Sequence, residues 1–249
     1  VTGTTAVNNL KLTRAGQSAA EPQANVTMDI DIEKDSGDIT VKNFECKATL
    51  GNLRIRNGFL PAPQTQKRLS LPVETQIDLA RTREFAMLTD FYPKKLQLEG
   101  TATSNLKITA GPETFTMTTD DTRIKDFSYG TPDAGKVNLG LVDAKLNINS
   151  QTQQTLIKFD VSNPNIKLKG DFKVETDKQQ KTVAARADCD YDWKFVSRLL
   201  SAFIPDDLLI EGKNQTTLEI TSTYPAEKPE QLWANMNLKP LKIAFDNAQ

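Results

Sequence analysis

The chain has 249 residues, with 31 Lys and Arg against 32 Asp and Glu, and it contains no histidine. The balance leaves no net field to attract nucleic acid or an anionic membrane. The missing imidazole excludes Ser-His-Asp and Cys-His catalysis, the HExxH and zinc deaminase motifs, and every His-ligated metal.

The opening VTGTTAVNNL has neither the basic n-region nor the apolar h-region of a signal peptide. The expectation is therefore that Val1 is not the natural start and that the chain is a mature or truncated soluble piece of something longer. The longest apolar run, around Leu199 to Ile204, is broken by Ser201 and falls far short of the ~20 residues a spanning helix needs. Hydrophobic content is 38%, lean for this length and suited to a wide sheet with one wet face.

Strand signals dominate along the chain. Val26, Met28, Ile30 and Ile32 alternate with Thr27, Asp29, Asp31 and Glu33, the period of two of a half-buried strand. Asp35-Ser36-Gly37 marks a turn, and Cys46 sits between Phe44 and Ala48 on an alternating face. Alternation runs through Leu69, Leu71, Val73, Thr75, Ile77 and Leu79. From Thr82 to Tyr92 it stops, and Phe85, Leu88 and Phe91 recur every three residues on one face of a short helix, which Pro93 ends.

The two-residue period returns at Ala102, Ser104, Leu106 and Ile108, then at Val142, Ala144, Leu146 and Ile148. Gly111-Pro112, Gly130-Thr131-Pro132, Asn163-Pro164-Asn165 and Tyr224-Pro225 are turn signals. Val183, Ala185, Ala187, Cys189 and Tyr191 form another strand. A second short helix follows, with Asp192 as N-cap, Trp193, Val196, Leu200 and Phe203 on one face, and Pro205 as its stop. Leu241, Ile243 and Phe245 read as a last strand. The opposing faces carry Thr, Lys, Asn, Asp and Gln, which argues antiparallel pairing.

Residues 77–110 and 189–222 are one segment written twice, 112 positions apart and without a gap. Asp78 falls on Asp190, Phe91 on Phe203, Pro93 on Pro205, and Glu99-Gly100 on Glu211-Gly212. Self-similarity at a fixed period indicates stacked supersecondary units sharing a core. The expectation is a single β-repeat domain over 1–249. It comprises an N-terminal strand and loop (1–25), a first repeat unit (26–138) and a second (139–249). With no linker-like stretch between them, the units should share one sheet. The repeated Glu-Gly reads as a β-bulge or bend that curves it.

Candidate chemistry is sparse. Asp188, Asp190 and Asp192 open like an EF-hand loop, but Trp193 and Leu199 occupy the places of the required Gly and Glu. Asp29, Asp31 and Glu33 fail the same test at Lys34 and Thr40. Arg54 with Arg56, and Lys94 with Lys95, read as solvated faces. Asn25 and Asn214 sit in glycosylation sequons, a pattern short enough to arise by chance. Cys46 and Cys189 read as small buried hydrophobes, with a disulfide in an oxidising compartment as the alternative. No metal, cofactor or enzymatic activity is expected.

The repeated pattern is Asp78, Leu88, Phe91, Pro93, Leu96, Leu98, Gly100, Leu106 and Ile108, then Asp190, Leu200, Phe203, Pro205, Leu208, Ile210, Gly212, Leu218 and Ile220. It resembles the repeat of the AsmA and TamB family of bacterial envelope proteins, bridge-like lipid-transfer proteins. The meander from Val26 to Gly58 is similar to that family as well. The resemblance implies a membrane anchor beyond this chain, a periplasmic or envelope location, and other envelope proteins as partners. It also implies a curved, twisted antiparallel sheet, β-taco-like, folded into an apolar groove that carries phospholipid or assists outer-membrane biogenesis.

The expected fold is therefore mainly β, built from two ~112-residue repeats, each with one short helix. The expected function is non-enzymatic: a groove that holds or conveys the acyl chains of phospholipid or another lipid. Its lining would be Ile77, Leu79, Leu98, Leu106, Ile108, Ile210, Leu218 and Ile220. The competing reading is a structural or adhesive extracytoplasmic β-repeat protein in which those residues pack into a closed core.

Overall fold

A computed structural model describes residues 1–14, 16–89, 95–131, 135–177, 179–199, 212–228, 231–238 and 242–245. The chain forms two compact units, Val1–Pro112 with Met117–Asp143, and Glu113–Thr116 with Ala144–Gln249. The first contains β1 (Thr2–Arg14), β2 (Gln17–Ile32), β3 (Ile39–Ala48), β4 (Gly51–Leu60), β5 (Leu69–Asp78), helix α1 (Leu79–Ala86) and β6 (Gln97–Ala110). It also takes most of β7 (Thr114–Thr131) and the start of β8 (Gly135–Gln151). The second contains β9 (Gln154–Ser162), β10 (Ile166–Asp177), β11 (Gln180–Asp192), α2 (Trp193–Leu199), β12 (Lys213–Pro225), α3 (Gln231–Ala234), β13 (Asn237–Leu238) and β14 (Lys242–Phe245). Hydrogen-bonded neighbours follow chain order from β1 to β13, and β14 lies beside β12. The fold is mainly β and antiparallel, a meander with short helical interruptions.

Turn chemistry drives this order. At Asp35-Ser36-Gly37 the Gly37 backbone takes φ 76 and its N–H donates to the Glu33 carbonyl at 2.8 Å, a conformation glycine adopts without a Cβ clash. Between β9 and β10, the Asn163 carboxamide oxygen accepts from the N–H groups of Asn165 and Ile166 at 2.7 and 2.8 Å, an Asx turn.

Register then aligns the alternating residues in rows across β2 to β6. Met28 pairs with Phe44, Phe44 with Ile55, Ile55 with Val73, and Val73 with Leu106. The neighbouring row runs Val26, Cys46, Leu53, Thr75 and Ser104. Because side chains alternate, the interleaved residues form a second, charged face. There Arg54 bonds Glu45 at 2.5 Å and Glu74 at 3.5 Å, and Lys42 bonds Asp31 at 2.7 Å.

Asparagine and aspartate take positive φ at Asn9 (56), Asn57 (55) and Asp126 (53), the non-glycine types that best tolerate this region. Asn57 falls within a register shift between β4 and β5. Asn9 lies between paired residues whose partners flank Pro22, which has no N–H to give. The register shift at Asn57 bends the strand and increases its twist, whereas the register on either side of Asn9 is unbroken.

Two expectations are corrected. Leu79 does not continue the β5 alternation but is the first residue of α1. The helix also starts and ends earlier than the 82–92 read from its apolar spacing. The cause is Asp78, whose carboxylate accepts from the Arg81 N–H at 3.0 Å and caps the helix. Phe91, Pro93, Leu200, Phe203, Pro205 and Leu241 lie outside the described residues.

Candidate functional site

In the first unit the apolar rows are only half covered. Val41 and Val73, at the centre of the face, are 7% and 8% exposed, whereas Leu53 is 36% and Ile32 52% exposed. Among the described residues no large side chain is fully buried. An ordinary sheet of this width buries its apolar side under another layer.

Helix α1 sits at one end of the unit, against β2, β5 and β6. Three arginines tie it there. Arg81 donates to the Ala20 carbonyl at 3.1 Å and to the Thr49 hydroxyl at 3.3 Å. Arg83 donates to the Leu96 carbonyl at 2.8 Å, and Arg14 reaches the Leu88 carbonyl at 3.1 Å.

Beneath this end, Glu21 is buried at 2% exposure. Its carboxylate accepts from the Thr49 N–H at 2.9 Å, the Thr49 hydroxyl at 2.8 Å and the Leu50 N–H at 3.3 Å. Burial pushes its pKa up, but these bonds and one from Gln23 outweigh it, so the carboxyl sits below its ordinary range. At the opposite end Asp38, 3% exposed, accepts from Lys67 at 2.5 Å and from the Ala62 N–H at 2.8 Å. The lysine, followed by the backbone bond, lowers its pKa. Both groups fasten turns at the ends of the strands.

The expected lining is brought together in part. Ile77 faces Ala102, Leu106 faces Val73 and Ile108 faces Leu71, all on the half-covered face of the first unit. In the second unit Leu218 pairs with Ala187 and Ile220 with Ala185, and the rows continue to Phe159 and Ile157 through Gly170 and Phe172. Leu98 is half-buried in β6, beyond Gly100 and outside the segment paired with β5. Leu79 belongs to α1, and Ile210 lies outside the described residues. Reasoning from the repeat alone missed Met28, Phe44, Ile55 and Leu71, which make up much of the face. Their alternation was the available signal.

The remaining motifs have structural employment. Asp188 accepts from the Thr217 hydroxyl at 2.7 Å and has Arg186 at 3.5 Å, and Asp192 accepts from the Lys194 N–H at 2.8 Å. No group of three acidic or cysteine side chains among the described residues is placed to hold a metal ion. Asn25 is exposed, whereas Asn214 is 6% exposed against the Trp193 indole N–H and the Lys213 carbonyl. Both cysteines are free thiols, and burial, followed by nearby Asp190, pushes the Cys189 pKa up. No described helix is long and apolar enough to cross a membrane. Comparison with known proteins finds no matching family model, no similar curated protein and no similar solved structure.

Proposed function

We propose that the chain is a non-enzymatic, extracytoplasmic lipid-holding protein of the AsmA and TamB type, whose apolar sheet face forms a groove for acyl chains. The single observation behind this reading is the uncovered apolar face across β2 to β6, with only Val41, Gly58 and Val73 buried on it. A closed core would hide Leu53 and Ile32, which stand 36% and 52% exposed. Shielding an acyl chain from water is worth ~0.8 kcal/mol per methylene, so a chain laid along one row gains several kcal/mol without any covalent step. The charged face keeps the sheet soluble, and its cross-strand ion pairs discourage like-charge misregister. In the cell this activity serves transfer of phospholipid through the envelope and outer-membrane biogenesis, with the membrane reached through an anchor outside this chain.

Native mass spectrometry of protein purified without detergent tests the reading. Bound phospholipid or fatty acid is expected, and delipidated protein should reload from phosphatidylethanolamine vesicles. Protein that carries no lipid and takes none from vesicles would refute it.

A further inference from the structure

The apolar face of the first unit is interrupted by the neighbouring hydroxyls of Thr75 and Ser104. Ser104 lies in the row of Thr75, Leu53 and Cys46, so its hydroxyl is on the apolar side. It lies 3.0 Å from the Thr119 hydroxyl and 2.6 Å from that of Thr122, and these two are 2.6 Å apart.

Residues three apart in a regular strand point to opposite faces. Thr119 and Thr122 meet at Ser104 because Asp120 and Asp121 between them are both exposed. The Asp121 carboxylate accepts from the Asn105 N–H at 3.2 Å and its carboxamide at 2.5 Å, on the other face. This break in the alternation brings both threonine hydroxyls to Ser104. Thr119 is 6% exposed, while Ser104 and Thr122 are half-buried and form the accessible rim.

We propose that Ser104, Thr119 and Thr122 form the polar subsite of the lipid face, donating hydrogen bonds to an acyl oxygen, either a fatty-acid carboxylate or a glycerolipid ester carbonyl. Each hydroxyl carries one rotatable proton and two acceptor lone pairs. The closed triad is satisfied without ligand, and turning one proton outward captures an oxygen acceptor. A neutral donor set of this kind holds a carboxylate or carbonyl and offers nothing to a pure hydrocarbon. Leu106 and Ile108 on one side along β6, and Ala102 on the other, give the attached chain an apolar path.

The inference rests on the acyl-binding reading, and the experiment separates the two. Fluorescence titration compares diphenylhexatriene, a hydrocarbon, with parinaric acid and parinaroyl phosphatidylcholine, using the parent and a Ser104→Ala/Thr119→Val variant. The parent should bind all three. The variant should hold diphenylhexatriene as before and bind the acyl-oxygen probes about tenfold more weakly, the scale of one lost hydrogen bond. Loss confined to parinaric acid assigns the subsite to a carboxylate, loss confined to parinaroyl phosphatidylcholine assigns it to the ester carbonyl, and loss of both shows that it takes either oxygen. Thr122→Val, at the half-exposed rim, gives the same readout if the double variant does not fold. Unchanged affinity for both acyl-oxygen probes in a folded variant overturns the subsite. Failure of the parent to bind diphenylhexatriene overturns the acyl-binding reading instead.

Discussion

The two copies of the repeat, β5–α1–β6 and β11–α2–β12, agree in facing and differ in register. Before the first helix the last cross-strand pair is Asp78 with Thr101, and before the second it is Asp192 with Lys213. Thr101 and Lys213 are equivalent at the 112-residue spacing, but the equivalent of Asp78 is Asp190. The strand entering the second helix has therefore grown by two residues, and the cap has moved with it, from Asp78 to Asp192. Two residues are one full period of a strand, so every side chain stays on its face. The repeat conserves the apolar side and tolerates even slips along it.

One consequence is that inserting a single Thr between Thr75 and Gln76 should unfold the first unit. It would drive Thr75, Val73 and Leu71, or their partners, to the charged face, an error comparable with the ~5–15 kcal/mol total stability of a domain. Inserting Thr-Thr there reproduces the register of the second copy and should leave a cooperative urea transition. Equal tolerance of both insertions would show that facing does not govern the repeat.

A finer comparison uses Gly100, near the start of β6, and Gly212, just before β12. Gly100 and Gly212 adopt φ 125 and 121, a region that costs a residue with a side chain about 1–3 kcal/mol. An added Cβ at Gly100 would also lie 2.7 Å from the Lys125 carbonyl oxygen, whereas at Gly212 it meets nothing within 4 Å among the described residues. Urea midpoints should fall for both alanine variants, and further for Gly100→Ala.

The caps sharpen the register claim at smaller cost. Asp78→Ala and Asp192→Ala should each lose about 1 kcal/mol. Asp190→Ala, the substitution that sequence alignment alone would match to Asp78, should lose markedly less. A larger loss at Asp190 than at Asp192 would return the cap to the aligned position.

Acid should act on both units. Glu21, Asp38 and Glu45 in the first, and Glu175 and Asp188 in the second, have folded-state pKa values below their ordinary ones. A depressed carboxyl pKa adds stability that is complete above the unfolded value and is lost as pH falls through the folded one. The melting temperature should therefore hold from pH 7 to about 5 and decline below about 4.5. Glu21→Gln should flatten part of that decline.

Alternation made most of the sheet legible in the sequence. Val26 to Ile32, Leu69 to Ile77 and Val142 to Ile148 have a period that only a half-buried strand explains, and they stand where that period puts them. A helix here was legible from the apolar spacing that begins at Phe85, but its bounds were not, since Leu88 lies past its end. Leu79 continues the strand pattern by character, while the Asp78 cap acts through geometry invisible to hydropathy. Strand β7 escaped notice because Asp120-Asp121 and the positive φ of Asp126 interrupt its period. For the same reason the hydroxyl subsite could not be read from spacing, since Thr119 and Thr122 should have faced apart.

The central claim is that the apolar side of β6 is an open, ligand-bearing face, and one pair of variants tests it. Leu106 pairs with Val73 on that side, and Lys107 points to the charged side opposite Pro72. Binding of a fluorescent phospholipid is measured for Leu106→Glu and Lys107→Glu, with circular dichroism to confirm folding. The account predicts that both fold, because water reaches position 106, and that only Leu106→Glu loses lipid, because an unpaired carboxylate is heavily penalised among acyl chains. A folded Leu106→Glu variant that binds phospholipid as well as the parent would contradict it, and unfolding of that variant alone would show the face to be closed core.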